Sequence, residues 1–133
     1  MSRPENYNSV LNFINIVFIK LLKLDSDMKL FIVGSDPDKS LLKISKEFPK
    51  NIIVTGFVDN PKHFFQRSSL GIAPITSGAG IKVKVLEMLM CQIPVFSTII
   101  GAEGIKKQKK LKVLSSVDCF YNEIAEFMKL KGK

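Results

Sequence analysis

Apolar positions along this chain recur with two different repeats. Near the N-terminus apolar residues return every three or four positions, which predicts an amphipathic helix from Asn8 to about Leu24: Val10, Ile14, Val17, Phe18, Leu21 and Leu22. A short continuous apolar run, Leu30 to Val33, then ends at Gly34 and predicts a buried strand. The change of repeat predicts a helix followed by a strand.

The rest of the chain repeats this alternation. Further strands are predicted at Asn51 to Thr55, Leu70 to Pro74, Pro94 to Thr98 and, more weakly, Leu111 to Leu114. Further helices are predicted after Asp36-Pro37-Asp38, after Asn60-Pro61, from Lys82 to Met90 and from Val117 to Leu130. Strands that alternate with helices are typical of a parallel sheet covered on both faces. The predicted fold class is therefore α/β, a Rossmann-like parallel sheet with helices on both faces.

A glycine loop and the helix after it carry the densest candidate chemistry. Gly78 and Gly80 permit φ > 0 and close approach of the backbone to a ligand. The N–H groups that open the helix favour an anion, and Lys82 and Lys84 add positive charge. Glu87 only accepts hydrogen bonds when ionised, which suits a ribose diol. The segment therefore predicts a site that holds a phosphate and a sugar hydroxyl together.

The two lysines are unequal candidates for the phosphate. Two residues apart on a helix, their side chains point about 200° away from each other. Both could reach one ligand only if Lys82 lies in the loop. Lys84 is the favoured partner because it precedes Glu87 by about one turn and shares its face.

The same residues resemble a known family. The run Gly78-Ala79-Gly80-Ile81-Lys82-Val83-Lys84-Val85-Leu86-Glu87-Met88 is similar to the donor-binding loop and helix of family 4 glycosyltransferases, the "group 1" sugar transferases. The resemblance extends from roughly Asn8 to Ile105. Its further blocks are Phe31-Ile32-Val33-Gly34, Thr55-Gly56-Phe57-Val58, Pro94-Val95 and Gly101-Ala102-Glu103-Gly104-Ile105. It implies one partial domain, the C-terminal donor-binding half of an enzyme built from two facing Rossmann domains (the GT-B type).

The resemblance also implies an activity and its residues. Such enzymes transfer a sugar from a UDP- or GDP-sugar to a polysaccharide or glycolipid, with retention and without a metal or cofactor. Lys84 and Glu87 would be the catalytic-site residues, with Glu87 on the ribose. The family's first motif glutamate corresponds to Ala79, which puts the sugar contact in doubt. Donor-binding positions would be Gly34, Ser35, Val58, Gly78, Ala79, Gly80, Ile81 and Lys82, with Val58 beside the nucleobase.

Two parts of the family's enzymes are missing from the 133 residues, which we treat as one domain. One is a strand that precedes the first helix near the middle of the sheet. The other is the N-terminal Rossmann domain with much of the acceptor site, which would have to be supplied in cis or in trans. We therefore expect marginal stability or pairing with another chain. A cooperative melt well above about 50 °C would contradict this expectation.

Charge and composition narrow the remaining alternatives. The net charge of +8 comes almost entirely from lysine, and the phenylalanines lie in apolar runs, so nucleic-acid binding is not favoured. The basic run Lys106 to Lys112 is either a solvated loop or a contact with an anionic membrane surface. The polar start Met1 to Asn6, the two unpaired cysteines and the lack of a clustered metal-ligand set predict a cytoplasmic, metal-free protein.

Two other function classes stay open. One is a non-catalytic nucleotide-binding or interaction module derived from such an enzyme. The other is a basic nucleic-acid or receiver-like α/β domain, although the predicted strands ending at Val33 and Thr55 lack the acidic residues that a receiver requires.

Overall fold

The chain folds into helices and parallel strands. The computed structural model describes the backbone of residues 4–131 and the side chains of residues 8–129; residues 1–3 of the polar start lie outside the described residues. The helices are α1 (Pro4–Phe13), α2 (Ile19–Leu24), α3 (Lys39–Glu47), α4 (Lys62–Arg67), α5 (Val83–Met90) and α6 (Cys119–Lys131), with a π-helical segment, Ile14–Phe18, between α1 and α2. The strands are β1 (Leu30–Val33), β2 (Ile52–Gly56), β3 (Gly71–Ala73), β4 (Val95–Thr98) and β5 (Leu111–Leu114).

The N-terminal helix differs from its prediction in two respects. It already begins at Pro4, because proline is pre-set for the first helical position. Its middle is π-helical rather than α-helical, over Ile14–Phe18. The wider turn adds residues without losing contact with the core, since Ile14, Val17 and Phe18 are all buried.

Every strand pair is parallel, which confirms the predicted α/β class. β1 pairs with β2, β3 pairs with β4, and β4 pairs with β5. The strands nevertheless form two sheets, with orders β1-β2 and β3-β4-β5, rather than the single sheet that the alternation predicts. No ladder joins β1 to β3 in this part of the chain.

Two apolar clusters cover the two faces of the strands. The larger one packs the N-terminal helix and α6 against Ile32 of β1, Ile52 of β2, Phe96 of β4 and Leu114 of β5. The smaller one joins Phe65 of α4 and Val85 and Met88 of α5 to Ala73 and Val95. Neighbouring strand residues such as Val95 and Phe96 belong to different clusters because successive side chains of a strand point to opposite faces. This confirms the prediction of helices on both faces.

Most predicted boundaries hold within two residues. The ends of β1 and β5 match, whereas β3 is shorter than predicted and ends before Pro74. Helix α5 begins at Val83 rather than Lys82, because Lys82 has extended backbone (φ −93°, ψ 106°). Asp38 caps α3 by accepting the Ser40 N–H at 3.0 Å. The hydrogen bond from the Ser40 hydroxyl, and then this backbone bond, lower the pKa of Asp38.

Gln92 lies in the left-handed region just after α5. It has φ 68°, where the resemblance has glycine, and it follows Cys91, the C-cap residue of the helix. We predict that Gln92→Gly stabilises the chain by about 1 kcal/mol, since glycine removes the Cβ clash of this conformation. The melting temperature should rise by about 4 °C. Gln108→Gly is the control: Gln108 is an exposed loop residue without positive φ, so no gain is expected there.

Candidate functional site

The glycine loop between β3 and α5 has the backbone that its sequence predicts. Gly78 has φ 106° and Gly80 has φ 90°, both of which strongly favour glycine. The loop from Ser77 to Ile81 is exposed, and no side chain caps the N-terminus of α5. The first N–H groups of α5 therefore lack a side-chain acceptor, which is the arrangement that suits an anionic ligand.

Lys84 links this loop region to the end of β1. Its Nζ donates a hydrogen bond to the carbonyl oxygen of Val33 at 2.7 Å, across 51 positions of sequence. The residue is exposed overall, but its ammonium end is partly withdrawn from water there. Burial lowers the pKa of Lys84, and the charge of Glu87 on the same helix opposes that shift. The structure thus places the Lys84 ammonium at the end of β1, one residue before Gly34, with Glu87 close enough to Lys84 to influence its charge.

Lys82 lies on the other flank of the glycine loop. Its Nζ donates to the carbonyl oxygen of Gly80 at 2.6 Å and approaches that of Ile100, after β4, at 3.5 Å. Because Lys82 precedes α5, the condition under which both lysines could serve one ligand is met. Their ammonium groups nevertheless diverge, Lys84 toward β1 and Lys82 toward the β4 side. Lys82 closes the loop, and Lys84 shares its side with Glu87.

Buried hydroxyl groups form hydrogen bonds with the loop that follows β3, and sequence reasoning did not identify them. The Oγ of Ser9, on α1, accepts the N–H of Thr76 at 3.2 Å. The Oγ1 of Thr98 donates to the carbonyl oxygen of Ile75 at 2.5 Å and accepts the N–H of Gly101 at 3.0 Å. These bonds connect the loop after β3 to α1 and to the loop after β4. Short polar residues at strand ends were the signal that could have indicated them.

Gly101 fits closely beside these bonds. A Cβ at this position would clash with the Ser97 hydroxyl and would lie 3.1 Å from the carbonyl oxygen of Ala73. The loop after β4 therefore approaches the end of β3 more closely than a side chain would permit. This explains why a glycine opens the Gly101 to Ile105 block.

The other predicted positions occupy the same edge but are spread along it. Gly34 (φ 154°) and the exposed Ser35 directly follow β1. Ala79 and Ile81 are exposed in the glycine loop. Val58 follows β2, one strand farther from the loop, next to Phe57, whose side chain is 75% exposed. The structure therefore brings Lys84 to the residue that precedes Gly34, and it leaves Val58 at the margin.

An open surface groove of about 500 Å³ lies elsewhere. It is lined by Ile16, Lys20, Lys23, Leu24, Asp118 and Tyr121, none of which belongs to the predicted site. It lacks a glycine loop, and no functional motif of the sequence falls in it. The loop region therefore remains the better candidate on chemical grounds.

Comparison with known proteins identifies the family. The family model described as Glycosyl transferases group 1 matches residues 1–129, which include every residue of the candidate site. The chain belongs to this family. The resemblance inferred from the glycine loop and its flanking blocks is thus confirmed.

A relative of this group 1 glycosyltransferase chain comes from Klebsiella pneumoniae. That protein is described as an uncharacterized 44.6 kDa protein in cps region, and it is 28% identical over 107 residues. The match covers 76% of this chain but only 28% of the Klebsiella protein. The chain therefore spans under a third of the length of this relative.

No helix within residues 4–131 combines the length and apolar character needed to cross a bilayer. The basic run Lys106 to Lys112 is largely exposed and leads into β5. Within it, Lys112 forms an ion pair with Glu123 of α6 at 2.5 Å. Most of the run is thus a solvated surface, and Lys112 in addition ties β5 to α6.

Proposed function

We propose that this chain is the donor-binding part of a glycosyltransferase that uses a UDP- or GDP-sugar. The observation that carries the proposal is the contact of Lys84 with the end of β1, on the helix that follows the glycine loop and carries Glu87 one turn later. A cation, an acceptor-only carboxylate and an uncapped helix N-terminus match the diphosphate and ribose of such a donor. Ligands of open α/β sheets bind at this carboxyl edge of the strands.

In the proposed reaction the bond between the sugar C1 and the donor's diphosphate oxygen breaks. The bonding electrons leave with the diphosphate, and an acceptor hydroxyl forms a bond to C1 on the same face and gives its proton to the departing diphosphate. Lys84 and the α5 N–H groups would stabilise the growing negative charge on the diphosphate. The acceptor would be a polysaccharide or glycolipid, which agrees with the description of the Klebsiella protein as one from a cps region.

Transfer would require a second, N-terminal Rossmann domain, in the same polypeptide or in a partner. The match covers only 28% of the Klebsiella protein, so that relative is long enough to include such a domain. The exposed basic run Lys106 to Lys112 could bring the assembled enzyme to an anionic membrane surface, where lipid-linked acceptors reside.

A non-catalytic nucleotide-binding module is the second candidate, and Ala79 favours it. Ala79 is exposed in the glycine loop at the position where the family has a glutamate at the transferred sugar. Without that carboxylate the chain would hold the nucleotide and contact the sugar weakly. Equal affinities for UDP and UDP-sugar would favour this candidate, and tighter binding of the UDP-sugar would favour the transferase.

The decisive experiment is calorimetric titration of the chain with UDP, GDP and a panel of their sugars. We predict saturable binding that Glu87→Ala weakens by about tenfold, the loss expected for about 1.4 kcal/mol of hydrogen bonding to a charged group. Glu47→Ala is the matched control, because Glu47 is an exposed glutamate at the end of α3. Absence of binding by the folded chain, or an equal effect of both substitutions, would refute the assignment.

A further inference from the structure

Thr98 is the buried last residue of β4, and its hydroxyl joins the two loops that follow β3 and β4. It donates to the Ile75 carbonyl at 2.5 Å, just ahead of the glycine loop, and it accepts the Gly101 N–H at 3.0 Å. The Ala102 N–H also donates to the Thr98 carbonyl at 3.1 Å, so the loop after β4 makes its first turn on this one residue. We call the two hydroxyl bonds the Thr98 bridge.

The loop after β4 also contacts the glycine loop directly. A Cβ on Gly104 would lie 2.8 Å from Cγ1 of Ile81, so the Gly104 backbone packs against that side chain and leaves no room for one of its own. In addition, the Lys82 Nζ approaches the Ile100 carbonyl oxygen at 3.5 Å. The glycine loop is thus held at its start by the Thr98 bridge and at its end by the loop that the bridge positions.

The neighbouring hydroxyl of Ser97 forms its hydrogen bond within β4 instead. Ser97 is completely buried, and its Oγ donates to the Thr98 carbonyl at 2.8 Å. Loss of either buried hydroxyl leaves a polar group without its partner, which lowers stability. Loss of the Thr98 hydroxyl in addition frees two loops, whereas loss of the Ser97 hydroxyl affects a bond of the strand alone. Stability and loop position can therefore be separated by comparing the two residues.

We propose that Thr98 is a positioning residue of the donor site, whose hydroxyl keeps the glycine loop in the conformation that receives the diphosphate of a nucleotide sugar. The proposal rests on the donor-binding function proposed above. Thr98 acts through the loop backbone and does not touch the donor, because its hydroxyl already bonds Ile75 and Gly101. Backbone N–H groups stabilise an anion best when they are fixed before it binds, so a loop without the bridge binds the donor more weakly.

Thr98→Val tests the bridge, because valine nearly matches the shape of threonine and has no hydroxyl. The Ile75 carbonyl and the Gly101 N–H then need other partners, so the two loops move apart. In calorimetric titration the variant should bind a UDP- or GDP-sugar about tenfold more weakly than the wild type, the loss that one hydrogen bond can account for. The Gly101 amide should also exchange with solvent about tenfold faster. Thr98→Ser retains the hydroxyl and should restore both.

Ser97→Ala is the matched control, since it removes the adjacent buried hydroxyl of the same strand. It should lower the melting temperature but leave the dissociation constant and the exchange of Gly101 unchanged. All titrations are made at a temperature at which each variant is folded. If Thr98→Val lacks a cooperative melt, Thr98→Cys takes its place, because a thiol is a weaker hydrogen-bond donor and acceptor, and the same direction of change is expected.

Three results would overturn the positioning role and leave the donor-binding function in place. They are an unchanged dissociation constant in Thr98→Val, an equal loss of affinity in Ser97→Ala, and a loss that Thr98→Ser does not restore. The third result would assign the effect to packing of the side chain rather than to its hydroxyl. Absence of donor binding by the folded wild-type chain would instead refute the proposed function, and the positioning role with it.

Discussion

Replacing Phe120 with alanine is expected to destabilise the fold of this chain severely. Phe120 is completely buried, and its ring meets that of Phe13 edge-on, with centroids 5.9 Å apart. Truncation of such a side chain costs about 3–5 kcal/mol. Domains of this size have about 5–15 kcal/mol of stability, so this loss is a large part of the total. Urea unfolding followed by circular dichroism measures the loss.

Phe57→Ala is the matched control for this prediction. Phe57 is the same residue type, but 75% of its side chain is exposed, so its truncation should change the free energy of unfolding by less than about 0.5 kcal/mol. Similar midpoints for the two variants would contradict the core that the structure assigns to Phe120. A native-like midpoint for Phe120→Ala alone would show that α6 contributes little to folding.

Local patterns predicted the elements of this fold but not how its strands are assembled. The strand Leu111–Leu114 was identified within its observed bounds, because four successive residues and their neighbours determine it. The local patterns did not predict the division into two sheets, because a ladder joins residues that are far apart in sequence. The resemblance did indicate a missing central strand, and no ladder joins β1 to β3 within residues 4–131.

The candidate site was predictable where it depends on backbone conformation. Gly78 and Gly80 were expected at positive φ, and both have it. The bond from Lys84 to Val33 could not be predicted, since it joins residues 51 positions apart. The hydrogen bond between Ser9 and Thr76 was missed for the same reason, because it joins residues 67 positions apart. Spacing within a helix shows which side chains share a face, but not which residues of the fold that face contacts.

Replacing Lys84 with alanine should weaken binding of a UDP- or GDP-sugar by about 10- to 100-fold. A hydrogen bond to a charged group contributes about 1.5–3 kcal/mol, which corresponds to that range of affinity. Calorimetric titration measures the change. Lys43→Ala is the control, because Lys43 is exposed on α3, and it should leave the dissociation constant unchanged.

The pH dependence distinguishes Lys84 from an ordinary surface lysine. Only the protonated amine attracts a diphosphate, and burial holds the pKa of Lys84 below 10.5. Affinity should therefore be fully present well below the lowered pKa and should fall as pH rises through it, before an ordinary lysine would lose its proton. Lys84→Ala should remove this decline and leave weak binding across the same range. A decline that persists in Lys84→Ala would assign the titration to another group and exclude Lys84 as the phosphate partner.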